Sequence, residues 1–153
     1  MQDTVTERGG CCTKAGGTMR GKVVYPMLSE GGQVLTWFGR DPEFEDKHRK
    51  WIGGGKRVKE PAKFHFVKGY HRGLELFGQH QFREEAVKER LAGIGLLVVE
   101  GSNDVIALNA LGVPSVGLCS NKITAEQAAK ASAMAYDLDG GVVTLGCNRC
   151  CDC

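Results

Sequence analysis

Two carboxylates four residues apart, Glu100 and Asp104, are the residues whose types and spacing point most directly to chemistry. They follow Leu96-Leu97-Val98-Val99, an apolar run bounded upstream by Gly95, which reads as a strand buried on both faces of a parallel sheet. Ligands of open α/β sheets bind beyond the carboxyl ends of the strands, and Glu100 takes that place. Gly101 permits a sharp turn there, and Asp104 falls in the first turn of the next helix. Both side chains can then face one crevice. Paired carboxylates suit Mg²⁺ (or Mn²⁺), hard cations that prefer oxygen ligands. Glu100 could also act as a general acid or base. Two plainer roles compete: Asp104 complementing a helix dipole, and Glu100 solvated at a strand end.

The elements that must position this pair are legible around it. Ser102 or Asn103 can cap a helix from Asp104 to Leu111, with Gly112 just past its end. Ser115–Cys119 reads as the next strand. Thr124-Ala125-Glu126-Gln127 is a capping-box pattern that opens an Ala-rich helix running to about Leu138. Val142–Leu145 reads as a third strand. The βαβαβ order argues for an α/β fold, a parallel sheet with flanking helices. Upstream, Phe82–Leu91 is rich in helix formers, closed by Gly93 and Gly95.

The first half has a different character. Lys22–Met27 and Gln33–Phe38 are β-rich runs around a Gly-containing turn, a hairpin pattern. Residues 43–60 are charged, contain Gly53-Gly54-Gly55, and read as a mobile loop or insertion. Pro61–Phe66 is extended and aromatic. Trp37, Phe38, Phe64 and Phe66 are candidates for stacking on bases, with core packing expected for at least half of them. His48, His65, His71 and His80 lack partners at ligand spacing and read as loop or basic-surface residues. Residues 14–72 hold 13 Lys/Arg against 6 Asp/Glu, a balance of +7, whereas residues 73–153 stand at −4. A basic segment joined to an acidic one suggests a polyanion surface beside a site that holds cations.

Composition removes several classes. The chain has 153 residues, 25% charged and 42% apolar, an ordinary globular balance. Its 22 glycines have no three-residue period, which excludes collagen. No apolar run approaches the roughly 20 residues needed to cross a bilayer. Residues 1–10 are polar, without the apolar stretch of a secretory signal, so a cytoplasmic location and no membrane partner are expected.

The run Leu97-Val98-Val99-Glu100-Gly101-Ser102-Asn103-Asp104-Val105-Ile106-Ala107-Leu108 resembles the first motif of the Toprim domain, in the form found in bacterial DnaG-type primases. Gly21–Pro26, Gly32–Val34 and Phe38-Gly39-Arg40 are similar to the hairpin of the primase core's basic N-terminal subdomain. Pro61–Phe64, Phe66–Gly69 and Leu76-Phe77-Gly78 resemble its Pro-Lys-Tyr, Phe-x-Lys-Gly and Leu-Tyr-Gly elements, in the right order over about residues 20–145. The resemblance implies a lead-in over 1–21, a basic α+β subdomain over 22–92, a partial Toprim domain over 93–146 and a Cys-rich tail over 147–153. It implies synthesis of short RNA primers on single-stranded DNA from ribonucleoside triphosphates, with a replicative helicase as a further partner. Glu100 would be the general acid/base, Glu100 and Asp104 metal ligands, and Arg40, Lys63, Lys68 and Arg72 nucleic-acid or nucleotide contacts.

One element of the pattern is missing. A complete Toprim site carries Asp-x-Asp directly after the third strand, where this chain reads Gly146-Cys147-Asn148-Arg149-Cys150-Cys151-Asp152-Cys153. Asp137-Leu138-Asp139 precedes the strand and reads as a helix end. A copy truncated before that motif is the expectation. A non-catalytic nucleic-acid-binding relic and a Toprim nuclease are the rival readings. The tail holds one Cys-x-x-Cys spacing, short of the two separated pairs of a structural zinc site, so zinc is not expected.

Overall fold

The two β-rich runs of the first half do pair. In the computed structural model, which describes residues 11–12, 17–55, 57–138 and 142–146, β2 (Val23–Leu28) and β3 (Val34–Arg40) are neighbours joined through a turn at Ser29–Gln33. The Ser29 N–H donates to the Gln33 carbonyl at 2.8 Å, and the Gly32 N–H to the Ser29 carbonyl at 2.9 Å. A two-residue strand β1 (Cys11–Cys12) lies antiparallel on β2, and β4 (Phe64–Phe66) lies antiparallel on β3 with Phe38 opposite Phe66 and Arg40 opposite Phe64. The order is β1-β2-β3-β4.

The chain forms two compact units, one of Met1–Pro26 and Thr36–Tyr70, the other of Met27–Leu35 and His71–Cys153. The first is built on aromatic packing. Phe38 is fully buried, with its ring 5.3 Å from Tyr25, 5.1 Å from Phe66 and 6.1 Å from Phe64. Phe38, Phe64 and Phe66 therefore pack on one another, the core role expected for at least half of the four aromatics.

Residues 43–60 are not a simple loop. They contain a helix, α1 (Phe44–Gly53), which the strong charge and the three glycines hid. Its start is fixed by Asp41. The Asp41 carboxylate accepts the Glu43 N–H at 2.9 Å and the Lys47 ammonium at 2.7 Å, while the Asp41 N–H donates to the Lys63 carbonyl at 3.0 Å. One residue thus ties the end of β3, the first turn of α1 and the approach to β4. Its carboxyl sits below the usual range. Burial works to raise it, but the hydrogen bonds from Lys47 and the Glu43 N–H outweigh that.

The second unit carries a parallel sheet of order β6-β5-β7, with β5 (Leu96–Val99) central, β6 (Val116–Gly117) and β7 (Val143–Gly146). Val98 stands opposite Val116 on one side and Leu145 on the other. Three helices serve this sheet: α2 (Glu85–Leu91), α3 (Ser102–Ala110) and α4 (Ala125–Tyr136). Leu76, Val87, Leu91, Leu96, Val98, Val116, Ala131, Ala135 and Leu138 form its core. The α/β class with a parallel sheet is as expected. Two details differ. Residues Gln79–Arg83 form a 3-10 turn before a shorter α2, and the strand expected over Ser115–Cys119 is only two residues long. The Cys-rich tail, with Asp139 and residues 1–10, lies outside the described residues. Among the described residues no helix is long and apolar enough to cross a membrane.

The Asp41 cluster gives a signed expectation. A carboxylate whose folded pKa is depressed stabilises the fold above its unfolded pKa and loses that contribution as pH falls through the folded value. Asp41→Asn should cost about 1–3 kcal/mol at pH 7. The gap from wild type should shrink as pH drops below about 4. Urea melts across pH 3–8 measure both.

Candidate active-site corner and nucleic-acid interface

Glu100 follows β5 directly, at the carboxyl rim of the central strand, and is half-buried. Its carboxylate makes no hydrogen bond or ion pair among the described residues. Gly101, not Ser102 or Asn103, is the N-cap of α3, and Ser102 is the first helical residue. Asp104 supplies the cap interaction from inside the helix, its Oδ2 accepting the Gly101 N–H at 3.2 Å. The carboxylate is therefore turned back toward the residue that follows the strand end, and its second oxygen makes no hydrogen bond among the described residues. The helix-dipole role and the site role are compatible in this geometry.

The wall beside this corner is made by the end of β6. A Cβ on Gly117 would lie 3.0 Å from Val105 Cγ2 and 3.3 Å from the Gly101 carbonyl, so only glycine lets β6 approach the turn this closely. The chain then enters Cys119 with φ at +52°, a left-handed conformation that is uncommon outside glycine. Burial pushes the Cys119 thiol up to about 12, against the opposing pull of the Arg72 charge and of the Ser102 backbone N–H. The Ser102 hydroxyl is buried without a hydrogen-bond partner.

Arg72 reaches this wall because of Gln127. The Gln127 side chain is fully buried, and the two hydrogens of its Nε2 serve the Glu75 carbonyl at 2.9 Å and the Leu118 carbonyl at 3.0 Å, with the Arg72 carbonyl at 3.3 Å sharing one of them. Its Oε1 accepts the Thr124 N–H at 3.3 Å, and Thr124 Oγ1 accepts the Gln127 N–H at 3.1 Å, the reciprocal capping box expected from sequence. Thr124 Oγ1 also donates to the Gly73 carbonyl at 2.5 Å. At Gly73 a Cβ would meet Thr124 Cγ2 at 2.6 Å, so the segment needs glycine to lie this close.

The structure thus brings Glu100, Asp104 and Arg72 into one unit, with the Arg72 charge felt at the Cys119 turn. Arg40, Lys63 and Lys68 belong to the other unit. There, Arg40 and Lys63 converge on one carboxylate, at 3.9 and 4.0 Å from Glu45 Oε1. Lys68 is exposed in the Val67–Tyr70 turn. Sequence reasoning missed Gln127 as the residue that presents Arg72. Its position in the capping box was the available signal, but nothing local shows that the free amide reaches three carbonyls. His48 stands in α1 and His65 in β4, both half-buried on regular elements rather than in loops, and no group of three acidic, His or Cys side chains that could hold a metal includes either among the described residues.

As a site for Mg²⁺, the corner offers two carboxylates of hard oxygen, one fixed by its own hydrogen bond and one unengaged. That set fits an ion which takes one or two protein carboxylates and completes its shell with water and substrate phosphates. Among the described residues no cluster of three acidic, His or Cys side chains forms around it.

No family model and no curated protein matches the chain. Solved structures do. The RNA polymerase domain of Mycobacterium tuberculosis primase DnaG, in complex with double-stranded DNA, superposes with a TM-score of 0.57 at 21% identity, over 82% of this chain and 36% of that one. The fold matches part of a primase catalytic core. The Aquifex aeolicus primase, comprising zinc-binding and RNA polymerase domains, gives a TM-score of 0.56 at 21% identity, over 82% and 27%. A DnaG primase catalytic domain bound to single-stranded DNA gives 0.50 at 20% identity, over 84% and 34%. The chain therefore spans about a quarter to just over a third of the length of these primase structures.

Two outcomes test the corner. Gln127→Ala removes the donor to these part-buried carbonyls and the partner of Thr124 in the capping box, and should lower stability by about 1–3 kcal/mol, read as a shifted urea midpoint. Cys119 should be alkylated by iodoacetamide at pH 8 about a thousandfold more slowly than a free thiol, because its thiolate fraction falls by about three powers of ten. Peptide mass spectrometry, with a urea-unfolded control, measures this.

Proposed function

We propose that this chain is a DnaG-type primase core with a partial Toprim unit, serving the synthesis of short RNA primers on single-stranded DNA. The observation that carries the reading is the half-buried, unengaged Glu100 at the carboxyl rim of the central parallel strand, with Asp104 turned back toward the same corner. The primase-core fold and the ordered sequence elements upstream support it, as do related folds solved with single- and double-stranded DNA.

In this reading Glu100 accepts the proton of the attacking ribose hydroxyl and, with Asp104, holds Mg²⁺. The ion when bound neutralises charge on the nucleotide phosphates. Asp104 is held by the Gly101 N–H, so the corner needs little reorganisation when a nucleotide arrives. Arg72 offers a guanidinium on the β6 side of the corner, suited to phosphate oxygens. Lys63 and Lys68 hold the template by its phosphates without sequence preference, and the pull should weaken with salt. Arg40 lies on the same basic face and shares Glu45 with Lys63.

A second reading, nucleic-acid binding without catalysis, is favoured by one specific observation. Among the described residues no third carboxylate joins Glu100 and Asp104, and no Asp-x-Asp follows β7 in the sequence. Primer synthesis on single-stranded DNA with Mg²⁺ and ribonucleoside triphosphates separates the two. Wild type should make short primers, and Glu100→Gln should make about a hundredfold fewer or none. If neither makes product while both bind DNA in a salt-sensitive way, the non-catalytic reading holds. Strand cleavage in place of synthesis would identify a nuclease.

A further inference from the structure

The helix that the sequence hid carries an unexpected surface. Phe44, His48 and Trp51 stand at i, i+4 and i+7, which places them on one face of α1. Their rings form a column: Phe44 and His48 centroids are 5.2 Å apart with planes at 20°, His48 and Trp51 5.6 Å apart at 26°. Columns of near-parallel rings usually belong to cores. This one does not, because no residue of α1 is buried. The column is instead flanked by residues 57–60. Trp51 Nε1 donates to the Val58 carbonyl at 2.7 Å, and His48 Nε2 lies 3.4 Å from Glu60 Oε1.

One tether brings Val58 to Trp51, and the other brings the Glu60 carboxylate to His48. Val58 is flanked in sequence by Arg57 and Lys59, both exposed and neither in an ion pair among the described residues. At the other end of the column, the Lys63 ammonium lies 5.8 Å from the centre of the Phe44 ring. A short line of half-exposed rings, with Lys63 at one end, Arg57 and Lys59 next in sequence to the Val58 tether, and the Glu60 carboxylate on His48 between them, suits a strand of unpaired nucleotides. Bases stack on π-faces whatever their identity, and phosphates take the cations. A duplex hides its base faces and can use only the cations. An acidic peptide would likewise leave the rings unused.

We infer that the Phe44–His48–Trp51 column, with Arg57, Lys59 and Lys63, is a stacking platform for single-stranded DNA. The inference rests on the nucleic-acid reading above and adds a binding surface within the first unit, separate from the Glu100 corner in the second.

The test is binding of a fluorescently labelled oligothymidylate to the full chain, followed by anisotropy over a range of salt, beside a duplex of equal phosphate count. Trp51→Leu should weaken single-strand binding about tenfold, leave the salt slope unchanged and leave duplex binding unchanged. Trp51→Phe keeps a ring but not the indole N–H, and should bind within about threefold of wild type. Arg57→Gln with Lys59→Gln should reduce the salt slope by about 1.4 for the single strand. Equal urea midpoints for the Trp51 variants certify that folding is intact. The inference is overturned if Trp51→Leu binds like wild type, if Phe and Leu lose equally, or if duplex binding falls in step. Should the wild type bind no oligonucleotide, the nucleic-acid reading falls with it. Salt-sensitive binding that ignores Trp51 overturns the platform alone and leaves the proposed function standing.

Discussion

The candidate corner depends on one amide. Gln127 is fully buried, and its NH₂ group donates to carbonyls from two separate stretches of chain, Arg72 and Glu75 in one and Leu118 in the other. Loss of this part-buried donor would cost about 1–3 kcal/mol. Because the same side chain closes a capping box with Thr124, it cannot swing away without also uncapping α4. The start of a helix, the end of a strand and an irregular segment are thereby locked into one arrangement. That arrangement brings the Arg72 charge to bear on the thiol at the Cys119 turn.

Around this knot the two carboxylates divide their labour. Asp104 uses one oxygen to satisfy the Gly101 N–H, which fixes its direction. Glu100 has no such engagement among the described residues and remains available to a ligand. The backbone strain is concentrated next to them, at Cys119 with φ of +52°, where the short β6 ends. Strained, over-determined turns beside an unengaged acidic group are features that packing alone does not call for. A second buried network serves the same unit. Gln79 Nε2 donates to the Leu28 carbonyl at 2.8 Å and to Glu75 Oε2 at 2.6 Å, and Lys130 pairs with Glu75 and Glu30. Burial works to lower the Lys130 pKa, but its hydrogen bonds to the two carboxylates prevail and raise it.

What was legible in the sequence was what local physics writes there. The apolar run at Leu96–Val99, the Thr124–Gln127 capping box, the left-handed Gly112 after α3 and the hairpin turn at Ser29–Gln33 each carry their instruction in adjacent residues, and each appears. Glu100 was placed correctly at the strand end for the same reason. The cap of α3 was misread because Ser102 and Asn103 are better cappers than glycine on propensity alone. Here Asp104 reaches back to the Gly101 N–H and makes a side-chain oxygen at the cap position unnecessary. Helix α1 was unreadable as a helix because none of its residues is buried, so no apolar stripe marks it. Its signal was aromatic, in the i, i+4, i+7 spacing of Phe44, His48 and Trp51. The reach of Gln127 was beyond sequence altogether, since its acceptors lie 9 to 55 residues away.

The charge asymmetry also changes meaning once the partners are visible. On paper the first half is uniformly basic, yet near the end of β3 much of that charge is locally cancelled. Lys47 is held by Asp41 and Glu43, and Arg40 and Lys63 share Glu45. Exposed pairs of this kind contribute little to stability, but they do remove positive potential from their neighbourhood. Lys68, Arg57 and Lys59 carry no such partner among the described residues. Unpaired positive charge is therefore found on residues 57–68 as well as beside the strands, and one end of that stretch is tied by Trp51 and His48 to an aromatic column on α1, none of whose residues is buried. A net charge counted along the chain locates neither the cancellation nor the residue; the ion pairs do.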